Sequence, residues 1–392
     1  MDSPSLKRMS TAIIPSNNAP GTGLILSGGG SRAAYQIGVL RAIAQLLPKD
    51  HQNPFQVISG TSAGALNAAS LASHAWRFRT AVRSLEYIWR NLSSEQVYSP
   101  ESGNLLGSAS SVLLSVISNN KQKDKAVAIF DNSPLAILLS RVIRFDRIQH
   151  NIDVGLIDAI SVTASAFGSG ESVSFYQAMR GIEDWSGPHR IGRRSELGLD
   201  HLMASSAIPL IFPPIKIGPQ YYGDGAIRQL APTSTALHLG ARRLLAIGVS
   251  GNRTTQPLEE EMNEPPGLWQ MVGHLLNSAF VDTLENDLVF LKHMNEVIPY
   301  VPPRHQEQLS HAMVEVELLE ISPSKELNRL AIDFYDELPK PLSRYIKPSG
   351  SGTILSLILF ESGFCNALIK LGYEDAMEKE SDIREFFRLP AI

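Results

Sequence analysis

The chain has 392 residues, with 35 Lys and Arg against 39 Asp and Glu, for a net charge of −4. That length supplies one large α/β domain or two smaller ones with an ample core, and the balanced charge, without a sustained basic stretch, excludes nucleic acid as the main partner. The single cysteine, Cys365, excludes an internal disulfide framework and a CxxC metal site; it fits a reducing cytosol and reads as a buried core side chain.

Residues 1 to about 20 are polar and contain Pro and Asn, and are expected to form a mobile tail. Lys7 and Arg8 precede only Thr11-Ala12-Ile13-Ile14 before Pro15, too short for a secretory h-region. The longest apolar runs elsewhere, such as Ile354 to Phe360, fall far short of the ~20 residues that span a bilayer. No transmembrane segment is expected, so the location is cytoplasmic or peripherally membrane-associated, with an export route lacking an amino-terminal signal left open.

Leu24-Ile25-Leu26-Ser27 is a short buried strand running into Gly28-Gly29-Gly30-Ser31-Arg32, and a helix follows from about Ala33 to Leu47. A second strand at 55–59 meets Gly60-Thr61-Ser62-Ala63-Gly64, and helix follows from about Ala63. Two strand-loop-helix units in succession predict a mainly parallel sheet covered by helices. Between about 91 and 130 the chain turns Ser/Asn/Lys-rich, and Asp131-Asn132-Ser133-Pro134 then restarts a helix. Ile157 to Phe167 and Ser172 to Tyr176 form a hairpin around Gly168-Ser169-Gly170. Arg243 to Val249 is a further buried strand, Gly267 to Val297 a long helix, and Val314 to Ile321 a late strand. The last 40 residues are mostly helical, with breaks near Gly363 and Gly372. The resulting organisation is a tail over 1–20, a catalytic domain over 21–250, and a mostly helical extension over 251–392 packed on it.

The serine turn carries the first chemical signal. Glycines on both sides of a serine, placed between a strand and a helix, suit a strained turn that pushes the hydroxyl out at the top of a sheet, which makes Ser62 a candidate nucleophile flanked by Gly60 and Gly64. One unit upstream, Gly28, Gly29 and Gly30 let main-chain N–H groups converge at a helix start, where a developing oxyanion is stabilised. Arg32 holds that loop through carbonyls or carboxylates, or meets a phosphate. The same glycines satisfy the spacing of a dinucleotide fingerprint, Gly28-x-Gly30-x-x-Ala33, but the second strand lacks the acidic residue that reading needs. A serine hydroxyl needs a base. Tyr221-Tyr222-Gly223-Asp224-Gly225-Ala226 offers Asp224, with Gly225 allowing close approach to another backbone.

Four blocks in order then carry a family resemblance: Leu26 to Arg32; Gly60 to Gly64; Ala204-Ser205-Ser206-Ala207-Ile208-Pro209 with Phe212-Pro213-Pro214; and Asp224-Gly225-Ala226. Their order and spacing over about 230 residues resemble the bacterial patatin-like phospholipases, and Gly352-Thr353-Ile354-Leu355 and Leu371-Gly372-Tyr373 resemble the tails of longer members. The resemblance implies a three-layer α/β/α fold and a serine acyl hydrolase that cleaves lipid esters without metal or cofactor. It further implies a Ser62-Asp224 dyad, an acyl-enzyme intermediate, and an oxyanion hole of the Gly28, Gly29 and Gly30 amides with that of Ala63. Lipid, met at a peripheral membrane surface, is the partner; oligomeric state is not read. Ala33 and Ala226 stand where many members have glycine.

An aspartate with an ordinary pKa near 3.9 is a weak base for an alcohol, so burial near apolar residues such as Ile208 must raise it. An acid limb at 6.5 to 7, the histidine range, is expected to speak against the dyad. The rival in the same reaction class is an α/β-hydrolase triad using His238, His274 or His293 after Ser62 and Asp224; His201 reads as structural. From another class, a non-enzymatic or nucleotide-binding α/β protein stays open. Ile208, Pro209 and Phe212 are expected to line the acyl pocket. Residues 105–125 read as a lid or as a helix buried on the sheet, and Ile354 to Phe360 reads as core rather than lipid contact.

Overall fold

The computed structural model describes residues 21–100, 128–250, 268–302, 315–343, 346 and 352–390. The expected tail and the 105–125 segment lie outside the described residues. Along the chain the strands are β1 (Gly21–Leu26), β2 (Val57–Thr61), the short pair β3 (Ser99–Pro100) and β4 (Phe130–Asp131), β5 (Ala159–Ala166), β6 (Ser172–Ala178), β7 (Trp185–Gly187), β8 (Arg190–Arg194), β9 (Ile215–Ile217), β10 (Gln220–Asp224), β11 (Ala241–Ile247) and β12 (Glu317–Ile321). The main sheet runs β12-β11-β1-β2-β5-β6-β8-β7, parallel from β12 through β5. β6 and β7 add antiparallel pairings.

The central strands are apolar on successive residues because helices cover both faces of the sheet. Leu24, Leu26, Ile58, Ile160 and Val162 pack into one core with α1 (Ala34–Leu46), α2 (Ala63–Ser73) and α3 (Phe78–Arg90). Ile25, Val57 and Ala159 point the other way, against Ala236, Leu284 and Leu288. The intervening helices are α4 (Ser133–Val142), α5 (Phe145–Asp153), α6 (Leu199–Ser205), α7 (Pro232–His238), α8 (Leu268–Asn277) and α9 (Thr283–Val297). This is the three-layer α/β/α architecture with a mainly parallel sheet that the sequence predicts.

The expected long helix over 267–297 is two helices joined by a π-helical turn, Ser278–Asp282. Toward the carboxy terminus come α10 (Leu327–Ile332), α11 (Gly352–Ile358) and α12 (Ser362–Glu378). The break expected near Gly363 falls at residues 359–361, and Gly372 breaks nothing: it lies inside α12. Its role is close approach. A Cβ on Gly372 would overlap the Tyr35 carbonyl of α1, and one on Gly38 of α1 would overlap the Ile369 carbonyl of α12, so the two helices cross backbone to backbone. Tyr35 Oη adds a buried hydrogen bond to Asp375 Oδ2 at 2.9 Å. Residues beyond 250 thus supply the edge strand β12 and a helix of the main core.

Among the described residues no single helix is long and apolar enough to cross a membrane.

One pairing detail positions the site. β6 takes one edge of β5, from Ala159 to Ser165. β2 runs parallel along the other edge until Thr61 stands opposite Thr163. β10 comes along that same edge from the opposite end until Asp224 stands opposite Ala164. Two strands therefore meet head-on at the middle of β5, and Ser62 and Asp224 are the residues at their meeting ends.

The helix crossing is directly testable. Gly372→Ala is expected to destabilise the fold by about 1–3 kcal/mol through overpacking, measured by thermal or denaturant unfolding. Gly198→Ala, where a Cβ meets nothing within 4 Å, should leave the midpoint almost unchanged.

Candidate active site

Ser62 sits between β2 and α2 with φ 54° and ψ −130°, a conformation that costs a side-chain-bearing residue strain and persists only where its surroundings enforce it. The enforcement is visible. A Cβ on Gly64 would overlap the Leu26 carbonyl, and one on Gly60 would lie 2.6 Å from Ala65 Cα, so both glycines let the turn close onto neighbouring backbone. The Ser62 amide donates to Ser205 Oγ at 2.9 Å, and Ser205 Oγ donates to the Thr163 carbonyl at 2.6 Å. The Ala204-to-Pro214 block, of which Ile208, Pro209 and Phe212 are expected to line the pocket, therefore also clamps the serine turn to β5.

Ser62 Oγ donates to Asp224 Oδ2 at 2.5 Å. The carboxylate is fixed by two further contacts: Oδ1 accepts from the Ala226 amide at 2.9 Å, and the Asp224 amide donates to the Ala207 carbonyl at 2.8 Å. Gly225 lies where a Cβ would overlap the Thr163 carbonyl. Asp224 is 0% exposed and Ser62 only 2% exposed. The hydroxyl thus heads an internal cavity instead of standing out in solvent at the top of the sheet.

Burial pushes the Asp224 pKa up to about 7, against the partial pull of the hydrogen bonds from Ser62 and Ala226. This supplies the basicity that a carboxylate partner of serine requires, and it corrects one sequence expectation. An acid limb near 7 belongs to this aspartate as well as to histidine, so its position alone does not separate dyad from triad.

Hydrogen bonding separates them instead. Among the described residues, no imidazole bonds to Ser62 or Asp224. His238 accepts or donates at Ser234 and stacks on Trp185 with ring centroids 4.9 Å apart. His274 and His293 are exposed, and His201 meets the Gly198 amide and the Phe175 ring.

The glycine loop lies beside the pair. A Cβ on Gly28 would sit 3.0 Å from Ser62 Cβ and 3.1 Å from the Phe280 ring in the π turn. Gly30, at φ +56°, is the one position where a side chain would overlap the Leu357 carbonyl of α11. The Gly28 and Gly29 amides donate to no described residue. Gly30 and Ala63 each begin a helical turn, where the amide lacks an intrahelical acceptor. Arg32 has partners other than those the sequence suggested. The residue is 2% exposed and, among the described residues, its guanidinium meets neither carboxylate nor backbone carbonyl; it donates from Nε to Ser356 Oγ at 2.9 Å and from Nη2 to Asn328 Oδ1 at 2.7 Å and Asn277 Oδ1 at 3.5 Å. Burial lowers its pKa to about 10, so it stays cationic at neutral pH.

From Ser62 an apolar cavity of about 790 Å³, mouth included, runs between α2, α3 and α4. Leu66, Leu85, Trp89, Leu135, Leu139 and Phe360 line it, together with Ile208 and Phe212 of the expected pocket; Pro209 does not reach it. The α3 and α4 wall went unread in the sequence, although Leu85, Ile88 and Trp89 follow helical spacing on an amphipathic segment. Among the described residues no cluster of three His, Cys, Asp or Glu side chains is arranged to hold a metal ion.

The sequence matches the family model described as patatin-like phospholipase over residues 24–237. No match is found among curated proteins. Among solved structures, the chain is similar to human GIVD cytosolic phospholipase A2 in complex with methyl gamma-linolenyl fluorophosphonate inhibitor and terbium chloride, at 14% identity and TM-score 0.46 over 94% of this chain and 59% of that one. It is also similar to VipD from Legionella pneumophila, at 12% identity and TM-score 0.34 over 93% and 67%. The chain spans 59% of the length of the human phospholipase structure.

Two outcomes follow from the buried carboxyl. The acid limb of any Ser62-dependent activity should lie near pH 7 and barely move with temperature, because carboxyl ionisation carries little enthalpy whereas imidazole ionisation carries much; pH-rate profiles at several temperatures measure this. Stability gives the second check. The folded group takes up its proton near pH 7 and the unfolded one near 3.8, so its destabilising effect is full above 7 and fades as pH falls toward 4. Asp224→Asn should therefore raise the melting temperature at pH 8, with a ceiling on the order of 4 kcal/mol, and the advantage should shrink between pH 7 and 4.

Proposed function

Because residues 24–237 place the chain in the patatin-like phospholipase family, we propose that it is a serine acyl hydrolase of phospholipase A or lysophospholipase type, acting on carboxylic esters of lipids. Ser62 attacks the ester carbonyl as its proton passes to Asp224. Asp224 returns that proton to the leaving alcohol, and water then attacks the acyl-Ser62 ester by the reverse sequence. The single observation that carries the reading is the 2.5 Å hydrogen bond from a strained serine to a fully buried carboxylate, whose desolvation supports the base role.

The main-chain amides of Gly28, Gly29, Gly30 and Ala63 receive the oxyanion in this reading, each such donor being worth on the order of 10²–10³ in rate. Gly60, Gly64 and Gly225 allow the close packing that holds the dyad. Arg32 anchors the loop from behind, through α11 and α10. The apolar cavity receives the acyl chain, and the substrate is met at a lipid surface to which the chain binds peripherally. The catalytic unit continues beyond residue 250, since Leu357, Ser356 and Asn328 support the glycine loop.

A panel of phospholipids, lysophospholipids and neutral lipid esters tests this with wild type, Ser62→Ala and Asp224→Asn. Both substitutions should cost at least about 10³ in kcat, and a fluorophosphonate probe should label wild type at Ser62 but not Ser62→Ala. Hydrolysis that survives Asp224→Asn, or is lost in one of His238→Ala, His274→Ala or His293→Ala alone, would sink the dyad. Leu138 of α4 also lines the cavity, and filling the space by Leu138→Trp should spare acetyl esters and depress long-chain ones, read as kcat/KM against acyl length.

A further inference from the structure

Behind the glycine loop lies a chain of buried polar side chains that the reaction described above does not use. Trp89 Nε1 donates to Asn67 Oδ1 at 2.9 Å. Asn67 Nδ2 donates to Gln36 Oε1 at 2.9 Å and to the Ala33 carbonyl at 3.3 Å. Gln36 Nε2 donates to the Ser27 carbonyl at 2.8 Å. Gln36 and Asn67 are both 0% exposed, so no water competes for these groups, and each amide must find its partners within the protein.

The direction of the chain is fixed at both ends. An indole N–H can only donate and a backbone carbonyl can only accept, so the Asn67 oxygen must face Trp89 and the Gln36 nitrogen must face Ser27; the middle bond then has one allowed sense. Hydrogen bonds aligned head to tail in a low-dielectric interior polarise one another. The two carbonyls at which the chain terminates, those of Ser27 and Ala33, stand immediately before and after the segment Gly28 to Arg32. The Ser27 carbonyl shares its peptide plane with the Gly28 amide, so what holds that carbonyl sets the direction of the first N–H of the segment.

We propose that Gln36 and Asn67, oriented by Trp89, are positioning residues for the oxyanion loop, fixing the carbonyls on either side of Gly28-Gly29-Gly30. Asn67 and Trp89 also line the apolar cavity. The wall that an acyl chain contacts is thus hydrogen-bonded, through two side chains, to the loop that receives the oxyanion. The inference rests on the acyl-hydrolase reading.

The test uses the full chain with Gln36→Met, Asn67→Leu, Trp89→Phe and the Asn67→Leu/Trp89→Phe double variant. Trp89→Phe removes the N–H and contracts the indole to a phenyl ring that still occupies the cavity wall, which guards against misfolding. Each substrate is supplied as the oxygen ester and as the thionoester, whose sulfur is a poor acceptor for oxyanion donors. Gln36→Met should lower kcat for the oxygen ester about 10- to 100-fold with KM little changed. The thionoester rate should fall much less, so that the ratio of the two narrows. Trp89→Phe should act in the same direction more weakly, and should add nothing in the Asn67→Leu background. If both rates fall together, in step with lost folded protein, or if the double variant is additive, the proposal is overturned.

A second readout is independent of turnover. In ¹⁵N-glycine-labelled protein, the Gly28 to Gly30 amide resonances should shift in Trp89→Phe and stay in place in Leu138→Trp. Should wild type hydrolyse no ester, the acyl-hydrolase reading fails on its own; unshifted resonances would overturn the relay whatever the activity.

Discussion

The meeting of β2 and β10 along one edge of β5 is the constraint from which the site follows. A sheet edge offers one row of donors and acceptors, and two strands sharing it from opposite ends must stop where they meet. At that point one strand delivers a serine in a strained turn and the other an aspartate without solvent. Neither group is comfortable by itself. The turn is held by Ser205 and by glycines pressed on backbone, and the carboxylate by the Ala226 amide and the serine hydroxyl. Stability spent on placing a charge in a dry interior is recovered as basicity, the usual exchange at a working centre.

Much of this was legible in the sequence because it rests on local rules. A strand, a glycine-flanked serine and a helix in succession specify the turn. Apolar residues on successive strand positions specify a sheet covered on both sides. What resisted was non-local. Arg32 reads as a cation bonded to carbonyls, carboxylates or a phosphate, yet Asn328 and Ser356, 296 and 324 positions away, bond to it through neutral side chains. Gly372 reads as a helix breaker, yet it serves a helix crossing that only the tertiary fold creates. Ile208 and Phe212 were found on the cavity wall because they belong to a motif. Leu135, Leu139 and Trp89 belong to none; their helical spacing says that they are buried but not what they face.

The carboxy-terminal residues change how the chain is divided. Strand β12 extends the sheet beyond β11, α12 crosses α1 at backbone distance, and α11 places the Leu357 carbonyl where Gly30 must have no side chain. All three contacts join residues 251–392, expected to pack on the catalytic domain, to residues before 250. The glycine loop is held from two directions: by α1 and α2 through Gln36 and Asn67, and by α10 and α11 through Asn328 and Ser356.

That second support has a bearing on biogenesis. As the polypeptide leaves the ribosome, Ser62 and Asp224 emerge long before Asn328 and Ser356, the residues that hold the Arg32 guanidinium at 2.7 and 2.9 Å. Contacts so distant along the chain form late. The glycine loop therefore gains this support only after the strands that carry Ser62 and Asp224 have both been made.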